Sequence, residues 1–322
     1  MISSADLGAR VVVRLRVGLG PTGRPAFTDL TGELVAIDAE RLVVRTEDGR
    51  AHAHALREVA AAKPIPPRPP KYSEIAAVEW ASASTWRAPV QERLGDWLLR
   101  AADGWTARGN SALPLGDPGL PLAAAVDRVT AWYAGRGLRP GISVPMPVCR
   151  AVLDELLARG WEAWPTTLVQ TASLDTVLAT APARADLPAV SLHPAPSPAW
   201  LAAVAGRKGS LPAAAHRLLT GAAGVRFAEV YDGTELAALA RGALSTDGEW
   251  LVFSLVEVSE AHRRRGLAQH VARALAQWAV AQGARRAALQ VLEENVAALS
   301  LYARLGFTTH HPYVTLTAPV SP

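Results

Sequence analysis

The sequence predicts an α+β protein preceded by a small all-β domain, and three observations lead to this prediction. Short apolar stretches of strand character follow one another in residues 1–62. A proline-rich segment, 63–71, separates them from the rest of the chain. From residue 72 onwards, apolar runs with strand and helix periodicity alternate. The 322 residues suffice for about two domains of ordinary size.

The composition is that of a soluble protein with ordinary apolar cores. Half of the residues are hydrophobic, and the single cysteine, Cys149, excludes a disulfide framework and a zinc site built from cysteines. No apolar run approaches the ~18 residues of a membrane-spanning helix, and the N-terminus lacks the layout of a signal peptide. We therefore expect a cytoplasmic protein without membrane association.

The formal charge of +4 is mild for 322 residues, and nearly all of the positive charge is carried by arginine. Nucleic-acid-binding proteins usually concentrate lysine and arginine in one stripe, interleaved with exposed aromatic residues. The arginines of this chain are dispersed instead. The sequence therefore disfavours a nucleic-acid partner.

Residues 1–62 are predicted to form the small β-domain. Apolar residues alternate with arginines over residues 7–17, which is the pattern of a half-buried strand. Four or five short strands in so few residues favour a barrel of SH3-like type. The segment 63–71 is expected to be an extended linker, because proline fixes φ and lacks an N–H donor.

Strands and helices alternate in two further stretches, 72–181 and 186–322. In the first we expect extended segments at 98–107 and 112–115, helices at 122–135 and 148–159, and strands at 141–144 and 166–171. In the second we expect strands at 189–192, 225–231, 236–244, 250–258 and 287–292, helices at 198–205, 212–220, 267–281 and 296–305, and two closing strands at 307–310 and 313–317.

The most informative segment joins the apolar strand 250–258 to the helix 267–281. It contains three successive arginines, residues 263–265, followed by Gly266 and Ala268. A helix start binds anions, because its first N–H groups are unpaired and the helix dipole is positive there. Gly266 lets a phosphate approach the backbone, since it has no Cβ. The segment therefore predicts a pyrophosphate site.

This segment resembles the R-x-x-G-x-G/A motif of the GCN5-related N-acetyltransferases (GNAT), with Arg263, Gly266 and Ala268 at the motif positions. A second segment further along is similar to the family's N-x-x-A-x-x-L-Y-x-x-x-G-F motif. Its matching residues are Asn295, Ala298, Leu301, Tyr302, Gly306 and Phe307. The helix and strand between the two motifs have the expected lengths, so the resemblance covers the coenzyme-binding half of that fold.

The resemblance implies a GNAT fold, which is a mixed, mostly antiparallel sheet whose two central parallel strands splay apart around acetyl-CoA. Here those strands are 251–258 and 287–292. It further implies that the first strand pairs with the pantetheine arm, that Asn295 contacts this arm, and that Tyr302 protonates the leaving thiolate. The implied cofactor-binding residues are Leu255, Val256, Val258, Arg263, Arg264, Arg265, Gly266, Leu267, Ala268, Asn295 and Tyr302.

The attacking amine needs a base, because a lysine-like amine of pKa ~10.4 is almost wholly protonated at neutral pH. Glu257 is the carboxylate inside the apolar strand beside the cleft, and partial burial would raise its pKa toward a useful range. Tyr302 and Glu257 are therefore the expected catalytic residues. Two alternatives stay open, namely that strand alternation points Glu257 away from the cleft and that a water chain replaces it.

No metal ion is expected. His310-His311 and the pair His52 and His54 are close in sequence, but neither pair has a carboxylate or a further histidine at ligand spacing.

Residues 97–172 repeat the order of elements of residues 251–317, which indicates a tandem arrangement of two GNAT halves. A leucine, Leu156 or Leu157, stands where the tyrosine of the second half stands. The loop that corresponds to the arginine-glycine segment contributes Asp117 and two prolines, and both features disfavour pyrophosphate.

We therefore interpret 72–181 as a degenerate half and 186–322 as the acetyl-CoA-binding domain. Together with the SH3-like module, this layout resembles a GNAT subfamily of actinobacteria. Arg108, in a polar stretch of the degenerate half, has two interpretations: it binds an acidic acceptor, or it belongs to a structural loop.

The leading functional hypothesis is an acetyl-CoA-dependent N-acetyltransferase that transfers the acetyl group directly to an amine, since no cysteine stands at the site to act as nucleophile. The alternative is a non-catalytic protein that senses acyl-CoA or binds a partner. The sequence leaves open whether the acceptor is a small molecule or a protein, and whether the chain forms a homodimer.

Overall fold

The computed structural model describes residues 2–19, 23–46, 48–66 and 68–319. Positions 20–22 and Glu47 of the predicted barrel, and Pro67 of the predicted linker, lie outside these ranges. The chain divides into two compact units, Met1–Pro69 and Pro70–Pro322.

The first unit is a small all-β domain with one sheet in the order β4-β3-β2-β1-β5. The alternation expected for residues 7–17 is present from residue 10 to residue 16, because Val11, Val13 and Leu15 are buried and the arginines beside them are not. It ends before Val17, which is exposed. The strands are β1 (Arg10–Leu19), β2 (Pro25–Ile37), β3 (Arg41–Arg45), β4 (Ala51–Ala55) and β5 (Val59–Pro64).

The second unit alternates helices and strands, and its elements fall into two series. The first series is α1 (Tyr72–Thr85), β6 (Val90–Leu94), β7 (Trp97–Ala101), α2 (Leu122–Ala134), β8 (Gly141–Pro145), α3 (Arg150–Ala158), β9 (Glu162–Ala163), β10 (Thr167–Ser173) and α4 (Leu174–Thr180). The second series is β11 (Ser191–His193), α5 (Pro198–Lys208), α6 (Ala213–Thr220), β12 (Gly224–Asp232), β13 (Glu235–Leu244), β14 (Trp250–Val258), α7 (Leu267–Ala281), β15 (Arg286–Leu292), α8 (Val296–Arg304) and β16 (Thr308–Thr317).

One nine-stranded sheet crosses the predicted border between 72–181 and 186–322. Its order is β11-β12-β13-β14-β15-β10-β16-β8, and β9 pairs with β16. Strand β10 of the first series lies between β15 and β16 of the second, with Val169 opposite both Gln290 and His311. The two stretches therefore form one compact unit, because each supplies strands that the other needs for pairing.

The structure also differs from the sequence prediction at several elements. The two expected closing strands are a single strand, β16, whose register with β10 shifts between His311 and Thr309. The extended segment expected at 98–107 ends at Ala101, and 112–115 contributes only isolated bridges. Helices α1 and α4 were not predicted, since α1 buries Glu79, Ser82 and Thr85 and so lacks a clear apolar stripe.

Helices cover both faces of the sheet around β14. Helix α7 packs through Leu267, Val271 and Leu275, one turn apart, on the face that carries Leu251 and Phe253. The opposite face is covered by α1, α5 and α6, with Trp86 and Trp200 in the packing. This arrangement leaves the carboxyl end of β14 free to carry a site.

Candidate functional site

The two central parallel strands separate after a short contact. Strand β14 pairs with β15 only from Trp250–Arg286 to Val252–Ala288. Beyond that point the register of β14 with β13 shifts between Leu239 and Arg241, which marks a bulge that includes Leu255 at φ +52°. Because a bulge bends its strand, β14 turns away from β15, and the gap expected between the strands opens here.

A cleft of about 1160 Å³ begins at this gap and extends to the start of α7. It is lined by every expected site residue except Leu255, whose side chain packs against the cluster of Trp86 and Trp105 on the opposite face. The lining residues are Arg184, Asp186, Leu187, Arg207, Val256, Glu257, Val258, Arg263, Arg264, Arg265, Gly266, Leu267, Ala268, Gln269, Asn295, Ala297, Ala298, Ser300, Leu301, Tyr302 and Arg304.

The arginine-glycine loop has the backbone that an anion site requires. Arg264 has φ +61° and Gly266 has φ +90°, and α7 begins at the next residue, Leu267. No side chain caps this helix start within the described residues, so its first N–H groups remain available to a ligand. A Cβ on Gly266 would lie 2.8 Å from Arg184 Nη1, so the space beside this backbone depends on glycine.

Arg265 has a different role from its two neighbours. Its Nη1 donates to Asp232 Oδ2 at 3.0 Å, and His262 Nε2 lies 3.2 Å from the same oxygen. The hydrogen bond from Arg265 lowers the pKa of Asp232. Arg265 thus anchors the loop to β12, whereas Arg263 and Arg264 are exposed in the cleft.

Arg184 is a cation of the site that the sequence analysis missed. Its Nε and Nη2 donate to the two carboxylate oxygens of Asp186 at 2.7 and 2.6 Å. This pairing lowers the pKa of Asp186 to about 2 and turns Nη1 toward Gly266. Arg184 precedes β11 and belongs to no motif, so only the fold brings it beside the loop.

Asn295 and Tyr302 lie at the two ends of α8. Asn295 caps α8, because its Oδ1 accepts from the N–H of Ala298 at 3.1 Å. The Tyr302 ring meets Phe307 edge-on at 5.9 Å between centroids. Burial raises the pKa of Tyr302 to about 12, so its phenol is protonated at neutral pH.

Glu257 lines the cleft, but it has a cationic partner. Its Oε1 accepts from Arg207 Nη1 at 2.6 Å, and its side chain is only 17% exposed. Arg207 lies at the end of α5, which the sequence did not connect with β14. The carboxylate of Glu257 is therefore neutralised by Arg207 at the wall of the cleft. The sequence analysis considered the burial of Glu257 but did not identify this partner.

The histidine pairs have structural partners. His311 Nε2 lies 2.9 Å from Glu79 Oε1, both side chains are buried, and His310 Nδ1 lies 2.8 Å from His311 Nδ1. This interaction ties α1 to β16. Over the described ranges, no three His, Cys, Asp or Glu residues are grouped so that they could hold a metal ion, and no helix is long and apolar enough to cross a membrane.

Two family models match this chain. The family model described as "Probable histone acetyltransferase Rv0428c C-terminal" matches residues 72–315, and the "Rv0428c N-terminal Sm-like domain" matches residues 5–63. The N-terminal β-domain, for which the sequence favoured an SH3-like type, is thus Sm-like by this match. The probable histone acetyltransferase Rv0428c of Mycobacterium tuberculosis is 30% identical over 319 residues, covering 97% of this chain and 95% of that protein.

Solved structures show the same fold. A GCN5-related N-acetyltransferase from Kribbella flavida matches with a TM-score of 0.58 and 16% identity, covering 77% of this chain and 96% of that one. A tandem GNAT protein from the clavulanic acid biosynthesis pathway matches with a TM-score of 0.53 and 16% identity, and the match covers 79% of this chain and 91% of that protein. The chain therefore belongs to the Rv0428c family, in which a small Sm-like domain precedes a region with the tandem fold of the GNAT acetyltransferases.

Proposed function

We propose that this protein is an acetyl-CoA-dependent N-acetyltransferase that transfers the acetyl group directly to an amine. One observation carries the proposal: a single cleft joins the gap between β14 and β15, the uncapped start of α7 and the protonated phenol of Tyr302. A long ligand with a diphosphate at one end and a thioester at the other matches these three features in order.

The residues present fit acetyl-CoA, which supplies an activated thioester. The loop backbone at 264–266 and the first N–H groups of α7 would hold the diphosphate, because they offer unpaired donors beside a glycine. The bulged backbone of β14 at Leu255 and Val256 has left its pairing with β15, so its polar groups can pair with an extended arm. Arg263 and Arg264 add positive charge at the open side of the cleft.

Tyr302 is the proton donor of the proposed reaction. When the amine nitrogen bonds to the carbonyl carbon, the carbon–sulfur bond breaks, and Tyr302 Oη gives its proton to the departing sulfur. A thiol of pKa ~8.5 is already a good leaving group, so this help is worth at most about 10² to 10⁴ in rate. The raised pKa of Tyr302 keeps the proton available throughout the neutral range.

Glu257 takes the proton that the amine loses, either directly or through a water molecule. Its ion pair with Arg207 fixes the carboxylate at the wall of the cleft. An amine of pKa ~8 loses this proton more readily than one of pKa ~10.4, so it suits the site better.

Calorimetric titration with acetyl-CoA tests the coenzyme assignment. Gly266→Glu places bulk and negative charge at the diphosphate, and we expect binding to be lost. Gly119→Glu is the matched control, because it adds the same charge at another positive-φ glycine with open space around it. Equal acetyl-CoA affinity in all three proteins would refute the phosphate assignment.

Thiol release with a panel of amines tests turnover. Turnover of any amine that is lost in Gly266→Glu supports the enzyme. Tight acetyl-CoA binding without turnover of any amine would favour the alternative, a protein that senses acyl-CoA.

A further inference from the structure

Three cations lie together on the face of β14 opposite α7 and form no ion pair with any described residue. They are Arg108 in the loop after β7, Arg241 on β13 and Lys208 at the end of α5. We call them the cation cluster. Arg241 is buried and Arg108 is half-buried, whereas Lys208 is exposed. Buried charges in proteins are usually paired, so two neighbouring arginines without a carboxylate indicate that the compensating anion is a ligand.

Arg241 places the cluster at the gap between the parallel strands. The residue is fully buried, and its Nη1 donates to Ser254 Oγ at 3.3 Å. Ser254 follows the last residue pair between β14 and β15 by two positions. The other donors of Arg241 reach the carbonyl oxygens of Leu219 and Thr85 at 2.8 Å, so the position of the Arg241 side chain is fixed.

Arg108 is the member of the cluster that can reach a ligand. Its Cζ lies 5.5 Å from the centre of the Trp86 ring, and Arg241 Cζ lies 5.1 Å from the same ring. Arg108 Nε is buried and has no hydrogen-bond partner, although the residue as a whole is half-buried. Trp86 stacks on Trp105 at 5.9 Å, so a guanidinium with free donors lies beside an aromatic wall.

The electrostatics agree with this geometry. Burial and the nearby Arg108 lower the pKa of Arg241 to about 9. Burial, Arg207 and Arg108 lower the pKa of Lys208, while Glu257 opposes this effect. The carboxylate of Glu257, which acts on Lys208, is itself engaged by Arg207, so the cluster keeps an excess of positive charge near Glu257.

We propose that Arg108, supported by Arg241 and Lys208, binds the anionic group of the acceptor, which is a small amine that also carries a carboxylate. This inference rests on the proposed acetyltransferase function and names its substrate class. Arginine binds carboxylates through two parallel hydrogen bonds, and its planar group is stabilised against an aromatic face. A lysine-rich peptide would bring further positive charge to the cluster, which disfavours it.

The test compares acceptors that differ only in charge. Amino acids are assayed beside their uncharged amides and beside a lysine-rich peptide, and binding of the amino acid to the CoA-saturated protein is measured by calorimetry. In the natural protein we expect the carboxylate form to have a KM roughly 10- to 100-fold lower than the amide, as a lost charged hydrogen bond implies.

The variants assign this preference to Arg108. Arg108→Met should remove the difference between acid and amide and abolish binding of the amino acid, while acetyl-CoA affinity stays unchanged. Arg108→Lys should restore part of the difference between acid and amide and part of the amino-acid binding. This result would show that the losses in Arg108→Met are not caused by unfolding. Arg217→Met is the matched control, because Arg217 is an exposed arginine on α6.

Two results would overturn the inference: a preference of the natural protein for the amide or the lysine-rich peptide, or an undiminished preference for the acid in Arg108→Met. Failure of the proposed function gives a different result, since the protein would then bind no acetyl-CoA or turn over no amine. In either case calorimetry with the amino acid still decides whether Arg108 holds a carboxylate.

Discussion

The two halves of the second unit have a similar order of elements but differ in strand pairing and at one loop. Elements β7, α2, β8, α3 and β10 occur in the order of β14, α7, β15, α8 and β16, with the short strand β9 added between α3 and β10. Strand β7 pairs with β6 in a separate two-stranded sheet, whereas β14 belongs to the nine-stranded sheet. In the second half the loop leads into a cleft of about 1160 Å³, whereas the corresponding loop of the first half borders a pocket of about 450 Å³. The same chain thus contains one open and one reduced version of a similar cleft.

In the first half, side chains of the chain itself accept hydrogen bonds from the loop amides. The N–H of Asp117 donates to Asp96 Oδ2 at 2.9 Å, and the N–H of Gly119 donates to Asp117 Oδ1 at 2.8 Å. Two carboxylates therefore satisfy loop amides that the second half leaves to a ligand. At the tyrosine position, Leu156 is buried and Leu157 is exposed, and neither has a proton to give. The comparison teaches that two stretches with a similar order of elements can differ in the loop amides that they leave unpaired, and this difference is what the proposed diphosphate site depends on.

Tyr302→Phe tests the difference at the tyrosine position, and it has the largest expected effect. We expect kcat to fall by about 10²-fold, because the departing sulfur loses its proton donor. Acetyl-CoA affinity should change little, since the ring still packs on Phe307. Unchanged turnover would mean that solvent protonates the sulfur.

Arg184→Ala tests whether the open loop depends on a residue outside the motifs. The variant should bind acetyl-CoA roughly 10-fold more weakly, since one charged hydrogen bond is lost. Asp186→Asn should have a smaller effect, because Arg184 remains but loses its anchor. Calorimetry beside Arg217→Ala provides the measurement and the control, and equal affinities of the Arg184 and Arg217 variants would contradict this role.

The stoichiometry of acetyl-CoA binding tests the reduced half directly. We expect one molecule per chain, because Asp96 and Asp117 already occupy the loop of the first half. Equilibrium dialysis at saturating ligand measures this value. Two molecules per chain would show that the smaller pocket also binds, and the comparison would then fail.

The ionisation of Tyr302 gives a smaller signal. An exposed tyrosine has a pKa near ~10, and burial raises that of Tyr302 to about 12. The contribution of the neutral phenol to the free energy of unfolding is therefore fully present below pH ~10. It is lost as the pH rises from 10 toward 12. Ultraviolet titration of the natural protein and of Tyr302→Phe should coincide up to pH ~10. If the natural protein shows a tyrosinate signal below pH ~10 that Tyr302→Phe lacks, the assignment of the raised pKa to Tyr302 is wrong.

Deletion of residues 1–62 should have the smallest effect. The other compact unit, Pro70–Pro322, is left intact and has its own cores. We expect acetyl-CoA affinity to stay within about twofold of that of the full chain. A clear loss of affinity would mean that the β-domain contributes to the site.

The sequence determined the parts of the site that lie on contiguous elements. Residues 263–268 and 295–307 each form one segment, so their motifs predicted the loop, the helix start at Leu267 and the positions of Asn295 and Tyr302 in one cleft. The alternating pattern in residues 7–17 likewise predicted a strand with one buried face. The loop, the helix start and the strand depend on backbone properties and periodicity that a short segment carries by itself, whereas the placement of Asn295 and Tyr302 was implied by the resemblance to the family.

Tertiary structure decided the charges and the pairing around these segments. Arg184 and Arg207 reach the site from outside the two motif segments, and no local pattern marks them. The insertion of β10 between β15 and β16 also depends on strand pairing across more than a hundred residues. A side chain's partner and a strand's neighbour are set by the packing of the whole unit, whereas a turn or a helix start is set by the residues that form it.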